Sequence, residues 1–119
     1  MIITGTVRPG KGLNTDWTKG FIDVIRKAVA GEKLLPGTLN VLLTDFYRVR
    51  ADFRHADMRF QHCWIQGQHC FIMRQDHFDN EAEQMYLTLE IMSTVYLRET
   101  LSLVDDQTVD IEIEPRDRQ

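Results

Sequence analysis

The chain has 119 residues, 43% of them hydrophobic, with a formal net charge of -4 at pH 7 and a pI near 5.5. This length and apolar content predict one domain, spanning residues 1–119, with a core of its own. The acidic balance argues against nucleic acid as a partner, because proteins that bind phosphate backbones present a basic face. The N-terminus lacks the basic and apolar regions of a signal peptide, and no apolar run approaches the length of a membrane span. We therefore expect a cytoplasmic protein with no membrane partner.

The first 30 residues predict a strand, a glycine-containing loop and a helix. Residues 1–7 are rich in β-formers, the loop carries Gly10 and Gly12, and apolar residues recur at helical spacing from Asp16 to Ala30. A loop that feeds a helix N-terminus gathers backbone N–H groups and the positive end of the helix dipole, which favours an anion. The alternative is a plain loop, because Gly10-x-Gly12 is not a Walker motif.

The stretch Pro36-Gly37-Thr38-Leu39-Asn40-Val41 predicts the start of a strand with two polar side chains on one face. Thr38 and Asn40 lie two residues apart and share that face, whereas Leu39 and Val41 take the core face. Two neutral oxygens are too few for a bare cation, but they suit Mg²⁺ that arrives with nucleotide phosphates. The alternative is a Pro-Gly turn that leads into a strand with ordinary polar side chains.

The middle of the chain predicts two strands and an irregular segment. Residues 39–43 continue as a strand after the Pro-Gly turn. From Tyr47 to Phe53 apolar and charged residues alternate, which predicts a half-buried strand. Residues 54–59 are polar, and we expect them to be irregular.

An internal repeat follows, and it predicts a β-hairpin. Residues 61–65 and 68–72 match each other and are separated by Gln66-Gly67. Two matching apolar segments joined by two residues that include Gly favour a tight hairpin turn.

The repeat also brings two histidines and two cysteines within ten residues, which suggests zinc. The hairpin register argues against a zinc site. Cys63 sits opposite Cys70 on one face, while His62 and His69 lie on the other face with the aromatic residues, so four ligands do not converge. We expect free, buried thiols on one face and an aromatic and histidine layer on the other.

After the hairpin, residues 75–84 form a polar, acidic connection. Residues 85–92 then alternate in hydropathy and predict a strand. Leu87, Leu89 and Ile91 share its apolar face, and Glu90 projects away from that face.

The C-terminal part predicts a short helix and a last strand. Residues 95–101 read as the helix, with Ser93 or Thr94 as its N-cap. Residues 108–114 alternate in hydropathy as a strand, and the tail 115–119 is polar. Many short strands with two helices, and no strand–helix alternation, predict a small, mainly β barrel.

Six short motifs follow one another along nearly the whole chain: Gly5-x-Val7, Gly10-x-Gly12, Pro36-Gly37-Thr38-Leu39-Asn40-Val41, Leu89-Glu90-Ile91, Leu97-Arg98-x-x-Leu101-x-Leu103-x-Asp105 and Val109-x-Ile111. Together, and in this order, they resemble the archaeal-type CTP-dependent riboflavin kinases, with the hexapeptide as the specific part. The resemblance implies a six-stranded cradle-loop (RIFT-type) barrel with one or two helices. It also implies transfer of the CTP γ-phosphoryl group to the 5′-hydroxyl of riboflavin, giving FMN and CDP.

The resemblance assigns roles to individual residues of this sequence, although it assigns no general base. Thr38 and Asn40 become the Mg²⁺ ligands. The flavin contacts are Asp76 and Glu90. The nucleotide contacts fall in two segments, which comprise Gly10, Lys11, Gly12, Leu13, Asn14 and Thr15, and then Val95, Tyr96, Leu97 and Arg98.

Three segments depart from the family pattern. Residues 10–14 replace Gly-x-Gly-Glu-Gly and lose its last glycine and its acidic residue. Residues 75–78 stand where the family has Arg-Thr-His-Tyr, with Asp76 in place of the flavin-contacting threonine, and Asp105-Asp106-Gln107 replaces Asp-Gly-Asp. Two alternatives to riboflavin kinase therefore stay open: a barrel that binds a nucleotide or flavin without catalysis, and a kinase for another small alcohol.

Overall fold

Seven antiparallel strands and one short helix form the part of the chain that the computed structural model describes, namely residues 1–9, 34–35, 38–55, 58–75 and 87–113. No helix in these ranges is both long and apolar enough to span a membrane. The elements in chain order are β1 (Ile2–Arg8), β2 (Leu39–Leu43), β3 (Phe53–His55), β4 (Met58–Ile65), β5 (Gln68–Gln75), β6 (Thr88–Ser93), α1 (Leu97–Thr100) and β7 (Thr108–Glu112).

The sheet closes on itself as a barrel. Its strand order is β3-β4-β5-β6-β2-β1-β7, and β7 pairs back onto β4 where Glu112 faces Trp64. Six strands form the closed antiparallel ring. The extra strand, β3, pairs with the first residues of β4, and β7 pairs with the same edge of β4 further along the strand. The predicted mainly β, six-stranded barrel is confirmed.

Alternate side chains of the barrel strands point inward and form the main core. Leu39 and Val41 belong to it, as the sequence predicted for the face opposite Thr38 and Asn40. The fully or nearly fully buried members from the strands are Val7, Leu39, Val41, Leu43, Cys63, Ile65, Cys70, Ile72, Leu89, Ile91, Val109 and Ile111. At about 25 cal/mol per Å² of apolar surface buried, this inner layer favours closure of the barrel.

A second apolar cluster covers the outer face of β4, β5 and β6. Its buried members are Leu34, Met58, Phe60, Phe71, Met73 and Met92. Phe53 of β3 stacks on Phe60, with ring centroids 5.0 Å apart. These three strands are therefore buried on both faces, because apolar residues occupy outward positions as well as inward ones.

The hairpin is confirmed in detail. Gln66 and Gly67 have φ values of 50° and 81°, the two left-handed residues of a type I′ turn. The turn sets the register in which Cys63 pairs with Cys70, and both thiols are free and buried.

The predicted strand from Tyr47 to Phe53 was wrong, since only Phe53 at its end lies in a strand. One main-chain hydrogen bond joins this segment to β4, from the Asp52 N–H to the Phe60 carbonyl at 2.9 Å, and side chains of β4 hold the main chain before it. Arg59 donates to the Val49 carbonyl at 2.9 Å, and the Gln61 side-chain oxygen accepts from the Arg50 N–H at 2.8 Å.

Gln61 is fully buried, and its amide also exchanges hydrogen bonds with the Tyr47 hydroxyl at 2.7 and 3.0 Å. Burial raises the pKa of the Tyr47 phenol, although its bond to Gln61 opposes that shift. A buried amide with satisfied donors and acceptors thus replaces strand pairing at this place.

Two further boundaries differ from the prediction. Residues 54–55 and 58–59 are not irregular but belong to β3 and β4, because Phe53, Met58 and Phe60 anchor these strands in the outer cluster. The predicted caps of the C-terminal helix were also wrong. Tyr96 is the N-cap and makes no side-chain capping bond, while the Ser93 hydroxyl, at the end of β6, donates to the His69 carbonyl at 2.6 Å.

Several predictions lie outside the described residues. They concern the helix from Asp16 to Ala30, the loop 10–15, the Pro36-Gly37 turn, most of the acidic connection 75–84, and the tail 115–119.

Candidate functional site

A pocket of about 300 Å³ opens at the end of the barrel where β2 begins and β6 ends. Three chain segments form its walls, and the resemblance had given roles to residues in two of them. The lining residues are Leu35, Thr38 and Leu39 before and at the start of β2, Ile91, Met92 and Ser93 from β6, and the run 95–99, which extends into α1. This volume is at the lower end of the range for small-molecule sites.

The polar rim of the pocket begins at Thr38. Its hydroxyl oxygen lies 3.4 Å from the Asn40 side-chain oxygen, so the two side chains point together, as the sequence predicted. Leu39, which lies between them in sequence, is buried in the core. Its burial fixes the backbone that carries the two polar side chains. Asn40 itself is half-buried and does not line the pocket.

Asn40 lies in a row of cross-strand neighbours on the outer face of the barrel. In the antiparallel register it is directly opposite Arg8 of β1 on one side and Glu90 of β6 on the other. Glu90 in turn pairs with Met73 of the outer cluster. Glu90 is therefore adjacent to Asn40, a predicted metal ligand. Its half-buried side chain lies between the polar residue Asn40 and the apolar outer cluster.

The segment 95–98 reaches the pocket because α1 is held at both of its ends. At the start of the helix, Leu97 is buried in the barrel core. At its end, Ser102 adopts a left-handed conformation with φ of 56°, and Leu103 N–H donates to the Arg98 carbonyl at 2.9 Å. This is the hydrogen-bond pattern of a Schellman motif, and it turns the chain back into the core through Leu103.

Two arginine–aspartate pairs surround the end of β1. Arg98 donates from one terminal nitrogen to the Arg8 carbonyl at 3.0 Å and to the Asp105 carboxylate at 2.7 Å. The Arg8 side chain binds the Asp106 carboxylate at 2.6 Å. Asp106 has a φ of 68°, so it adopts the left-handed conformation at the position where the resembling family has glycine.

The histidines and cysteines of the hairpin do not form a four-ligand site in this structure. His62 and His69 share a 2.9 Å contact between ring nitrogens on the outer face, while the thiols lie inside the barrel. The ring centroids are 5.1 Å apart and the planes differ by only 19°. The distance between centroids is close to the nitrogen–nitrogen distance plus the distance from each centroid to its own nitrogen. The two rings therefore meet edge to edge, joined by a hydrogen bond.

The structure thus brings some of the predicted site residues together and leaves others apart. Thr38 and the run 95–98 share one pocket, and Asn40 and Glu90 lie side by side next to it. The remaining predicted residues, Gly10 to Thr15 and Asp76, lie outside the described residues. Sequence reasoning missed Leu35, Ser93, Glu99 and the contacts of Arg8, because each reaches the site through tertiary packing. Only for Arg8 did the sequence offer a signal, because this residue comes just before the segment with Gly10 and Gly12, to which a nucleotide role had been assigned.

A comparison of the chain with protein-family models and with curated proteins found no match.

Proposed function

We propose that this protein is a CTP-dependent riboflavin kinase, which transfers the γ-phosphoryl group of CTP to riboflavin and forms FMN and CDP. One observation carries the proposal. Two segments far apart in sequence, Thr38 with its neighbours and the run 95–98, line a single pocket, and these are segments to which the family resemblance assigns metal and nucleotide contacts.

The metal assignment agrees with the donor set. The Thr38 and Asn40 oxygens are 3.4 Å apart, and adjacent ligands of an octahedral Mg²⁺ ion lie about 3 Å apart. Both oxygens are neutral, which suits an ion whose remaining ligands are phosphate oxygens and water. Mg²⁺ held by these two side chains would neutralise charge on the phosphoryl group in transfer.

The pocket suits a nucleoside. Its apolar walls include Leu35 and Val95, and the exposed Tyr96 ring offers a face on which a planar base can stack. Ser93 and Glu99 add polar groups, and the main chain near residues 95–98 supplies edge donors and acceptors for choosing the base. The phosphates would then extend past Thr38 toward the loop that follows β1.

The acceptor assignment uses Glu90. A carboxylate beside Asn40 can accept hydrogen bonds from the N–H or hydroxyl groups of riboflavin, which would bring the acceptor next to the metal ligands.

The test is to incubate the protein with riboflavin, Mg²⁺ and each of the four nucleoside triphosphates in turn, and to measure FMN by chromatography. We expect FMN with CTP and much less with ATP. FMN formation without preference among the triphosphates would contradict the donor assignment. Flavin or nucleotide binding without any FMN would favour a barrel that binds these molecules without catalysis. Phosphorylation of another alcohol would favour a kinase for a different acceptor.

A further inference from the structure

The outer face of the hairpin carries two histidines whose rings meet through nitrogen atoms. His62 of β4 and His69 of β5 point away from the barrel core, since Cys63 and Cys70 take the inward positions next to them. Nδ1 of His62 lies 2.9 Å from Nε2 of His69. Both side chains are half-buried, so part of each imidazole surface stays exposed. Neither histidine lines the pocket beside Thr38.

Aromatic rings fix the positions of both imidazoles. Trp64 stacks on His69, with ring centroids 5.2 Å apart and planes that differ by 19°. The fully buried ring of Phe71 contacts both histidines, at 5.1 Å from His62 and 4.6 Å from His69. Phe53 packs against His62 at 5.8 Å. The packing of the barrel therefore brings the two nitrogens together before any ligand binds, which lowers the entropy lost on binding.

The distance between the two nitrogens matches that between adjacent ligands of a transition-metal ion. Imidazole nitrogens bind such ions at about 2.0 Å. Two of them at the right angle of a tetragonal ion lie about 2.8 Å apart, whereas the tetrahedral angle places them about 3.3 Å apart. The observed 2.9 Å fits the tetragonal arrangement. Tetragonal coordination by nitrogen is typical of Cu²⁺, which also binds most tightly among the divalent ions of its row.

We propose that His62 and His69 form a two-histidine binding site for a transition-metal ion, with Cu²⁺ as the preferred ion. Nδ1 of His62 and Nε2 of His69 bind the metal, and water fills its remaining positions. A bound imidazole is neutral, so the proton that the two nitrogens share in the free protein transfers through solvent to the far nitrogen of its own ring. The site is separate from Thr38 and Asn40, whose oxygens suit Mg²⁺.

The charged groups around the pair are compatible with a bound cation. The Asp52 carboxylate accepts a hydrogen bond from the His62 main-chain N–H at 2.9 Å. Arg50 forms an ion pair with Asp52 at 2.7 Å, so its positive charge is balanced. Glu112 lies directly opposite Trp64 where β7 joins β4, and its exposed carboxylate adds a negative charge to the same face.

The first experiment is calorimetric titration with Cu²⁺, supplied as its glycine complex, in the presence of excess Mg²⁺. His62→Gln and His69→Gln should each weaken one Cu²⁺ equivalent about tenfold or more, because a single imidazole replaces a chelating pair. The double variant should be little weaker than either single one. The matched control is His55→Gln, which removes a histidine of β3 outside the pair and should bind like wild type.

Other copper ligands do not confuse this comparison. The buried thiols and the terminal amine are present in every variant, so copper bound there appears equally in all of them. Ni²⁺ and Zn²⁺ should bind the wild type more weakly than Cu²⁺. Unchanged affinity in both single variants, or an equal loss in His55→Gln, would overturn the proposal.

The second experiment is spectroscopic and centres on the wild type, so it stands even if a variant fails to fold. One equivalent of Cu²⁺ should quench the fluorescence of Trp64, which stacks on His69. The electron paramagnetic resonance spectrum should be that of a tetragonal ion coupled to two nitrogens, and a folded double variant should lose it. A wild-type spectrum without two nitrogen ligands rejects the site. Neither experiment involves riboflavin or CTP, so the result is independent of the proposed kinase activity.

Discussion

The carboxylate of Asp52 accepts a hydrogen bond from the main-chain N–H of His62 at 2.9 Å, so a side chain takes the place of a neighbouring strand at this point of β4. The same carboxylate binds the Arg50 guanidinium at 2.7 Å. Burial alone would raise the pKa of Asp52, but the bonds from Arg50 and from the His62 N–H outweigh it and hold the pKa below its ordinary value of 3.8. The folded state therefore prefers the ionised form.

We predict that Asp52→Asn lowers the free energy of unfolding at neutral pH by about 1 kcal/mol, because the amide is a weaker acceptor than the carboxylate. A depressed folded-state pKa contributes stability that is complete above the unfolded pKa and is lost as the pH falls through the folded pKa. The gap between wild type and variant should stay constant from neutral pH down to about 5 and narrow below 3.8. Urea unfolding across this range measures it. A gap that widens in acid would contradict the assignment.

The Asp52 contact also shows why part of the fold was predictable and part was not. The hairpin pairing of Cys63 with Cys70 follows from local rules, because a two-residue turn sets the register and alternation sets the faces. Residues 47–52 show the same alternation, but hydrogen bonds between their main chain and the side chains of Arg59 and Gln61 decide their conformation. Those partners lie about ten residues away in sequence, and the contacts form only when the barrel packs. No local sequence pattern therefore predicts them.

The same division applies to the site. The pairing of Thr38 with Asn40 depends only on the two-residue period of an extended chain, and the sequence predicted it. The convergence of Thr38 with residues 95–98 depends on β2 pairing with β6 and on the packing of α1. The sequence alone associated these segments only through the family resemblance, because strand order is not encoded in a local motif.

The end of α1 gives a second prediction. Ser102 occupies the left-handed position of the Schellman motif. A residue with a Cβ atom is strained in this conformation, whereas glycine is not. Ser102→Gly should stabilise the protein by about 0.5–1 kcal/mol. Ser102→Ala is the matched variant and should not stabilise it, since alanine lacks both the freedom of glycine and the polar side chain. Thermal melting of the three proteins compares them, and equal gains from both substitutions would argue against a backbone cause.

A third prediction concerns Gly5, where β1 passes closely over β2. A Cβ atom at this position would lie 2.5 Å from a Val41 side-chain carbon and 2.9 Å from the Leu42 carbonyl oxygen. Gly5→Ala should therefore destabilise the protein by about 1–3 kcal/mol, because the main chain of β2 must shift. The comparison is Gly67→Ala, where nothing lies within 4 Å and only the φ of 81° is unfavourable. Chemical denaturation should rank Gly5→Ala as the more harmful change, and the reverse order would contradict a steric origin.

The fourth prediction addresses the metal pair. Asn40→Ala should reduce FMN formation steeply, by about 100-fold, and raise the Mg²⁺ concentration that half-saturates the reaction, because one of two protein oxygens is lost. The melting temperature should barely move, since the side chain lies on the outer face. Thr6→Ala changes another partly buried polar residue of the barrel, and its activity should resemble that of wild type. A variant at position 40 that melts much earlier, or that keeps full activity, would favour a purely structural role.

The last prediction concerns the flavin. Glu90 lies directly opposite Asn40, and its carboxylate is the group we expect to accept hydrogen bonds from riboflavin. Glu90→Gln should weaken riboflavin binding about tenfold, because the glutamine amide oxygen is a weaker acceptor than the carboxylate. Asp76 lies outside the described residues. If the loop 75–84 closes over the same pocket, we expect Asp76 to oppose binding, because two carboxylates near one neutral ligand repel each other.

Asp76→Thr, which restores the residue of the resembling family, should therefore strengthen riboflavin binding. Titration of riboflavin fluorescence against wild type and the two variants, with CDP and Mg²⁺ present, ranks the three affinities. The expected order of affinity is Asp76→Thr above wild type above Glu90→Gln. If no concentration of wild-type protein quenches riboflavin, the flavin assignment is wrong. A nucleotide site that serves another acceptor, or that serves none, would then account for the pocket beside Thr38.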